Sequence, residues 1–169
     1  MEHTKVITEL SRNKDVFKDL LKGLKKEEYL WKPEPEKWCL LEIICHLHDE
    51  ECEDFRTRTR IVLESPEGPL PPIDPVGWVQ ERKYMEQDFE NMLSNFLMER
   101  EMSVVWLQSL RSPKWDNAYQ HPKFGPMSAK LYLSNWLAHD YMHIRQINRT
   151  RYEYLQQWTG ESLTYAGNW

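Results

Sequence analysis

A chain of 169 residues with 40% hydrophobic side chains can close one core without staples. Its formal net charge of -5, from 27 acids against 22 bases, argues against nucleic-acid binding, which draws its affinity chiefly from Lys and Arg on phosphates. Three cysteines with no CxxC pair argue against a disulfide framework and suit a reducing cytoplasm.

Periodicity lays out helices in chain order and almost no strands. Ile7, Leu10, Phe17, Leu21 and Leu24 recur at steps of three and four, with Lys14 in the gap, the stripe of a helix that buries one face. Gly23 weakens its end and "KPEPEK" breaks the chain. A second helix is predicted from about Cys39 to Leu63, with Leu40, Ile44, Leu47, Phe55 and Val62 toward the core. Glu42 stands where the third helical residue returns a hydrogen bond to the cap, although the cap is Cys39 rather than Ser or Thr. "ESPEGPLPPIDPVG", residues 64–77, holds five of the ten prolines and is long enough to cross a bundle end.

A third helix is predicted from Trp78 to Leu110, with Met85, Phe89, Met92, Phe96, Val104, Leu107 and Leu110 in near-heptad register. "RSPKWDNAYQHPKFGPM" reads as irregular, and Ser128 then caps a fourth helix running to about Asn148. That helix is apolar nearly all round (Leu131, Leu133, Trp136, Leu137, Met142, Ile144, Ile147), which predicts it as the most buried. A short helix from Tyr152 to Trp158 and a coiled tail follow. The fold class is all-α: a four-helix bundle, one domain over residues 1–169, with a long Pro-rich crossover between helices two and three.

No stretch approaches the ~18 apolar residues of a membrane span, and "MEHTKVITELSRNK" has no signal-peptide run. The expectation is a soluble cytoplasmic protein that binds neither membrane nor nucleic acid. Arginines cluster at 56, 58 and 60 and at 145, 149 and 151. Glu53, Asp54, Glu64 and Glu153 dilute both groups, so each is expected to be a solvated helix face.

Chemistry concentrates in the histidines, of which there are six. His139 and His143 lie four apart, about 40° round a helix, so both rings can converge on one ion. Ligation needs a third donor from elsewhere. "CHLHDEE" offers His46 and His48, about 200° apart, so only one of them can serve. His48 shares its side with Leu41, Ile44, Cys52 and Phe55, the setting of a core histidine. His46 shares its side with Ile43 and with acids, Glu42, Glu50 and Glu53, which slightly favours it without deciding. Cys45 reads as a buried thiol, Trp106, Trp136 and Met92 as core, and His121 as an ordinary loop histidine.

Trp38, then His46, Leu47, Asp49 and Glu51, followed about ninety residues later by His139, Asp140, His143 and Gln146, resembles the DinB-like (DinB/YfiT-like) superfamily of four-helix metalloenzymes. Gly125 and the Ser128 cap precede the second block, and the resemblance covers essentially the whole chain. It implies one divalent metal, zinc or nickel, held by His46, His139 and His143. Cys39 departs from the Ser or Thr common at its cap position.

Three neutral imidazoles leave an ion doubly positive with an open position, the pattern of a catalytic site. Bound water then becomes acidic near neutral pH, or a thiol binds as thiolate. Asp49 and Asp140 are the candidates to orient ligands, Asp140 alternatively pairing with an arginine on another helix. The resemblance implies a metal-dependent enzyme acting on a small molecule, as a hydrolase or a thiol S-transferase using a low-molecular-weight thiol. The competing expectation is a metal- or ligand-binding, stress-associated bundle without turnover. A homodimer is compatible with either. A metalloprotease reading of "HDYMH" is weak, because no convincing strand is present to hold a peptide.

Overall fold

The computed structural model describes residues 2–167. Helix one, Glu2–Leu21, buries Ile7, Leu10, Phe17 and Leu21, as the stripe requires. Its gap is filled by Asn13, which is 4% exposed, while Lys14 turns outward to an ion pair with Glu101. Gly23 takes φ 71 just beyond the helix, and Leu24 packs on the core from outside it.

Helix two runs through three consecutive segments, Leu40–Asp49, a π-helical turn Glu50–Phe55, and Arg56–Glu64. Its start is fixed as expected: Glu42 Oε2 accepts the Cys39 backbone N–H at 2.9 Å, and Lys32 Nζ reaches Glu42 Oε1 at 2.8 Å. Glu42→Ala removes both contacts at a buried helix end. The expected cost is about 1–2 kcal/mol in urea unfolding, and an unchanged midpoint would contradict it.

Leu40, Ile44, Leu47, Phe55 and Val62 are buried, and so are Leu41, Ile43 and Cys45 on the other sides. This first half of helix two, not helix four, is buried all round. The outer cover comes from the chain around Trp78 and Tyr84, where Cys45 Sγ meets the Tyr84 carbonyl at 4.0 Å.

The Pro-rich crossover does more than cross a bundle end. Leu70 packs with Val62, Leu63 and Tyr132, where helix two finishes. Ile73 and Trp78 pack with Leu40 and Phe89, where helix two begins. The segment therefore returns along the length of the bundle, pinned midway by Arg58, whose guanidinium donates to the Pro71 carbonyl at 2.7 Å. An extended chain at ~3.3 Å per residue covers that distance easily. Helices two and three consequently run parallel, with helices one and four opposed to them.

Of the three arginines of helix two, Arg60 is exposed as expected, whereas Arg56 and Arg58 are drawn inward. Arg58 is 9% exposed and ion-paired with Asp54, Arg56 with Glu99, and Arg60 lies over the Trp106 ring at 4.9 Å.

Helix three begins later than predicted. After Trp78–Glu81 the chain takes a left-handed residue, Lys83 at φ 50, then a 3-10 turn at Tyr84–Glu86. Asp88 restarts it by accepting the Asn91 N–H at 2.9 Å, and the helix spans Phe89–Ser109. Met85 is left 45% exposed, whereas Phe89, Phe96, Val104 and Leu107 are buried.

The stretch predicted as irregular contains an antiparallel hairpin, β1 Ala118–His121 and β2 Gly125–Ser128, paired from Ala118↔Ser128 to His121↔Gly125. Gly125 takes φ 72 at its turn, and the Lys123 and Phe124 N–H groups donate to His121 Nδ1. This hairpin is the one strand pair among the described residues, and the rest is helices and the loops that join them.

Helix four, Ala129–Thr159, starts where expected, with Ser128 Oγ accepting the Leu131 N–H at 3.2 Å. It absorbs the separate short helix predicted at 152–158 and stops only at Gly160, φ 68. Leu131 and Met142 face solvent, and Asp140, His143 and Thr150 are among its buried residues.

Candidate metal centre

Helix four carries His139 and His143 one turn apart, and the first half of helix two brings His46 opposite them. His46 Nε2 lies 3.2 Å from His139 Nε2, and His143 Nε2 lies 3.1 Å from the same atom. All three ligand atoms fall within 4.8 Å of one another. His48 is elsewhere, its Nδ1 3.2 Å from Asp49 Oδ1 and its Nε2 4.0 Å from Cys52 Sγ.

The three rings are held neutral. Burial, with repulsion from His143, pushes His46 down to about 3. Burial pushes His139 to about 2, with the other two imidazoles and Arg100 adding to the effect. Burial also brings His143 to about 4, against a bond to Gln146 that raises it. A neutral His143 has one ring proton. Its Nδ1 sits 2.8 Å from Gln146 Oε1, an acceptor, so that nitrogen carries the proton and Nε2 presents a lone pair to the cluster.

Ring nitrogens this close must be bridged, by a proton or by a cation. Two nitrogens ~2.1 Å from a shared ion stand about 3.0 Å apart at a right angle and about 3.4 Å apart at the tetrahedral angle. The observed 3.2 and 3.1 Å fall in that interval. The donor set therefore fits a divalent ion with imidazole ligands.

The Trp38 and Phe55 rings wall the cluster, 4.9 Å from His46 and 4.9 Å from His139. Two cavities reach it. One of about 270 Å³ is lined by His139 with Asp54, Tyr132 and Met127, and one of about 290 Å³ by His143 with Arg145, Gln146 and Arg149. His121 lines neither cavity.

The acids of the two motif blocks do different work. Asp140 is fully buried and bound in a bidentate pair by Arg100 of helix three, both contacts 2.7 Å, with Asn13 Nδ2 donating to it at 3.1 Å. Of its two predicted roles the structure displays the arginine pairing. Glu51 shares the same guanidinium, Arg100 Nε donating to its Oε2 at 2.9 Å, and takes the Trp136 indole N–H at 2.9 Å. One buried polar network thus links all four helices directly behind His139. Arg100 and Asn13 escaped the sequence reading. The available signal was a charge at a core position, because Phe96, Arg100 and Val104 follow at steps of four.

Asp49 accepts from the Tyr84 hydroxyl at 2.6 Å and pairs with Arg82 at 2.9 Å. Burial raises its carboxyl, but the bonds from His48, Tyr84 and Arg82 together hold it below the usual range. Glu50, in the π turn, is pushed up to about 8 by burial and by neighbouring Asp54. Burial pushes the Cys45 thiol up to about 12, so it is an inert core thiol, as its sequence setting suggests.

A family model described as the DinB superfamily matches residues 9–147. No curated protein matches the chain. Among solved structures, YfiT from Bacillus subtilis superposes with a TM-score of 0.78 at 16% sequence identity, covering 95% of this chain and 89% of that one. YfiT is described as a probable metal-dependent hydrolase with an unusual four-helix bundle topology, and at this identity the likeness speaks to the fold.

Proposed function

Because the chain belongs to the DinB superfamily, we propose that it is a metal-dependent enzyme whose centre is His46, His139 and His143 around one zinc or nickel ion. The observation that carries this is the meeting of three neutral imidazoles, with Nε2 of His139 within 3.2 Å of its two neighbours. When bound, the ion supplies Lewis acidity and makes a coordinated water or thiol acidic near neutral pH. The surrounding residues prepare that chemistry. Gln146 fixes the tautomer of His143, and Trp38 and Phe55 exclude water from two sides. The cavities at His139 and His143 leave the centre open to a small molecule, which favours turnover over a closed, non-catalytic site.

The reaction classes proposed are hydrolysis of an ester or amide and S-transfer from a low-molecular-weight thiol, in a cytoplasmic setting that keeps the cysteines reduced. A panel of esters and amides, run with and without added thiol on zinc- and nickel-loaded protein, tests this. Metal-dependent turnover lost in His139→Ala supports the enzyme, whereas metal uptake with no turnover across the panel returns the chain to a binding role.

Acid should dismantle the metal-free site. The folded values of about 3, 2 and 4 lie below the ordinary 6.5 of histidine. The unfolded chain thus binds more protons between those limits, so this contribution to stability is present above about 6.5 and lost as pH falls. Thermal melts of the metal-free chain should fall steadily below pH 6.5, and a melting temperature flat down to pH 4 would contradict buried neutral rings.

A further inference from the structure

The two cavities beside the rings differ in charge. The cavity at His139 contains one acid, Asp54, and no cation. The cavity at His143 contains Arg145 and Arg149 and no acid. A third cavity of about 380 Å³ shares Gln146 and Arg149 with it and adds Lys37 and Trp38, opposed by Glu34 and Glu153. Arg149 Nε is committed to Glu153 at 2.8 Å. Arg145 is exposed, and no acid among the described residues pairs with it. An unpaired guanidinium thus lines the same cavity as His143 and Gln146, the residue that holds His143, in a chain whose overall charge is -5.

We infer that the small molecule taken by this centre carries a carboxylate that seats on Arg145 at the His143 side, which orients its uncharged remainder toward the cavity of His139 and Asp54. A guanidinium fork matches a carboxylate with two parallel N–H donors. One unpaired cation beside a half-neutralised one matches a single negative charge better than a dianion. The inference rests on the metal reading above, and its test separates the two.

The test uses the full chain loaded with cobalt(II), whose visible bands report both uptake and thiolate ligation. The probes are three thiols of similar size and different charge: 3-mercaptopropionate, 2-mercaptoethanol and cysteamine. At low salt 3-mercaptopropionate should bind roughly 5-fold more tightly than 2-mercaptoethanol, and cysteamine most weakly, the scale of one partly exposed charge pair. The preference should shrink below about 2-fold in Arg145→Gln, and likewise at about 0.5 M salt, where surface charges are screened within a few ångströms. Arg145→Gln should keep the cobalt spectrum unchanged, and Arg12→Gln, at a remote exposed arginine, should keep the preference intact.

Equal affinities, a preference for cysteamine, no binding of any thiol, or a preference that survives Arg145→Gln would each overturn the inference while leaving the metal centre standing. Failure of the wild-type chain to take up cobalt would overturn the metal reading and this one together.

Discussion

Arg100→Ala is expected to cost about 3–5 kcal/mol of folding stability, the range for removing one partner of a buried ion pair. In a chain of this size that corresponds to a fall of about 10 °C in melting temperature. The guanidinium is 1% exposed and stands between Glu51, 1% exposed, and Asp140, fully buried. Removing it leaves two carboxylates without their cation at positions shut off from solvent. Asn13 and the Trp136 indole remain as donors but carry no charge.

The origin of the loss can be separated from simple loss of packing. Arg100→Met keeps most of the volume and should still destabilise by several kcal/mol. Adding Glu51→Gln and Asp140→Asn to Arg100→Met should recover much of the loss, because no isolated charge then remains buried. Urea unfolding of these variants measures the difference. An Arg100→Ala variant within about 1 kcal/mol of wild type would mean that the network is not the inner tie between the helices.

His139→Ala should abolish tight binding of zinc or nickel, by on the order of a hundredfold or more in affinity, while His48→Ala leaves it nearly unchanged. His139 Nε2 is the central atom of the cluster, the one that lies within 3.2 Å of both other rings. Its loss leaves two donors. His48 engages Asp49 and Cys52 on another side of helix two and offers nothing to the cluster. Metal analysis after dialysis, with competition against a chromogenic chelator, distinguishes the outcomes. Loss of metal in His48→Ala, or full retention in His139→Ala, would contradict the assignment.

Much of the bundle was legible in the residues. Step-three and step-four stripes located helix one and the core side of helix two, and Glu42 and Ser128 marked starts that the hydrogen bonds display. What escaped was set by tertiary contacts. The crossover announced its prolines but not its direction, because the direction depends on where Leu70 and Ile73 find apolar partners. The break before Phe89 depends on a left-handed Lys83, a conformation with no signature at that residue type. The hairpin is too short for alternation to register, and Gly125 was its one local sign.

At the site, periodicity left His46 and His48 nearly level, and the family resemblance favoured His46. The structure brings His46 to His139 and His143 and leaves His48 outside. Asp140 shows the limit of spacing more plainly. Its neighbours in sequence are cluster histidines, yet its partners are Arg100 and Asn13, 40 and 127 residues away. The expectation that helix four is the most buried failed for the opposite reason. Its apolar residues outnumber the places facing the core, so Leu131 and Met142 remain outside while Asp140 and His143 occupy interior positions.

The most direct test is X-ray absorption at the zinc edge on the zinc-loaded chain. Three imidazole nitrogens at about 2.0–2.1 Å with a further light atom, and loss of one imidazole in His46→Ala, is the predicted result. A sulfur scatterer near 2.3 Å, or a spectrum with fewer than three imidazoles in the wild-type chain, would contradict a centre built from His46, His139 and His143.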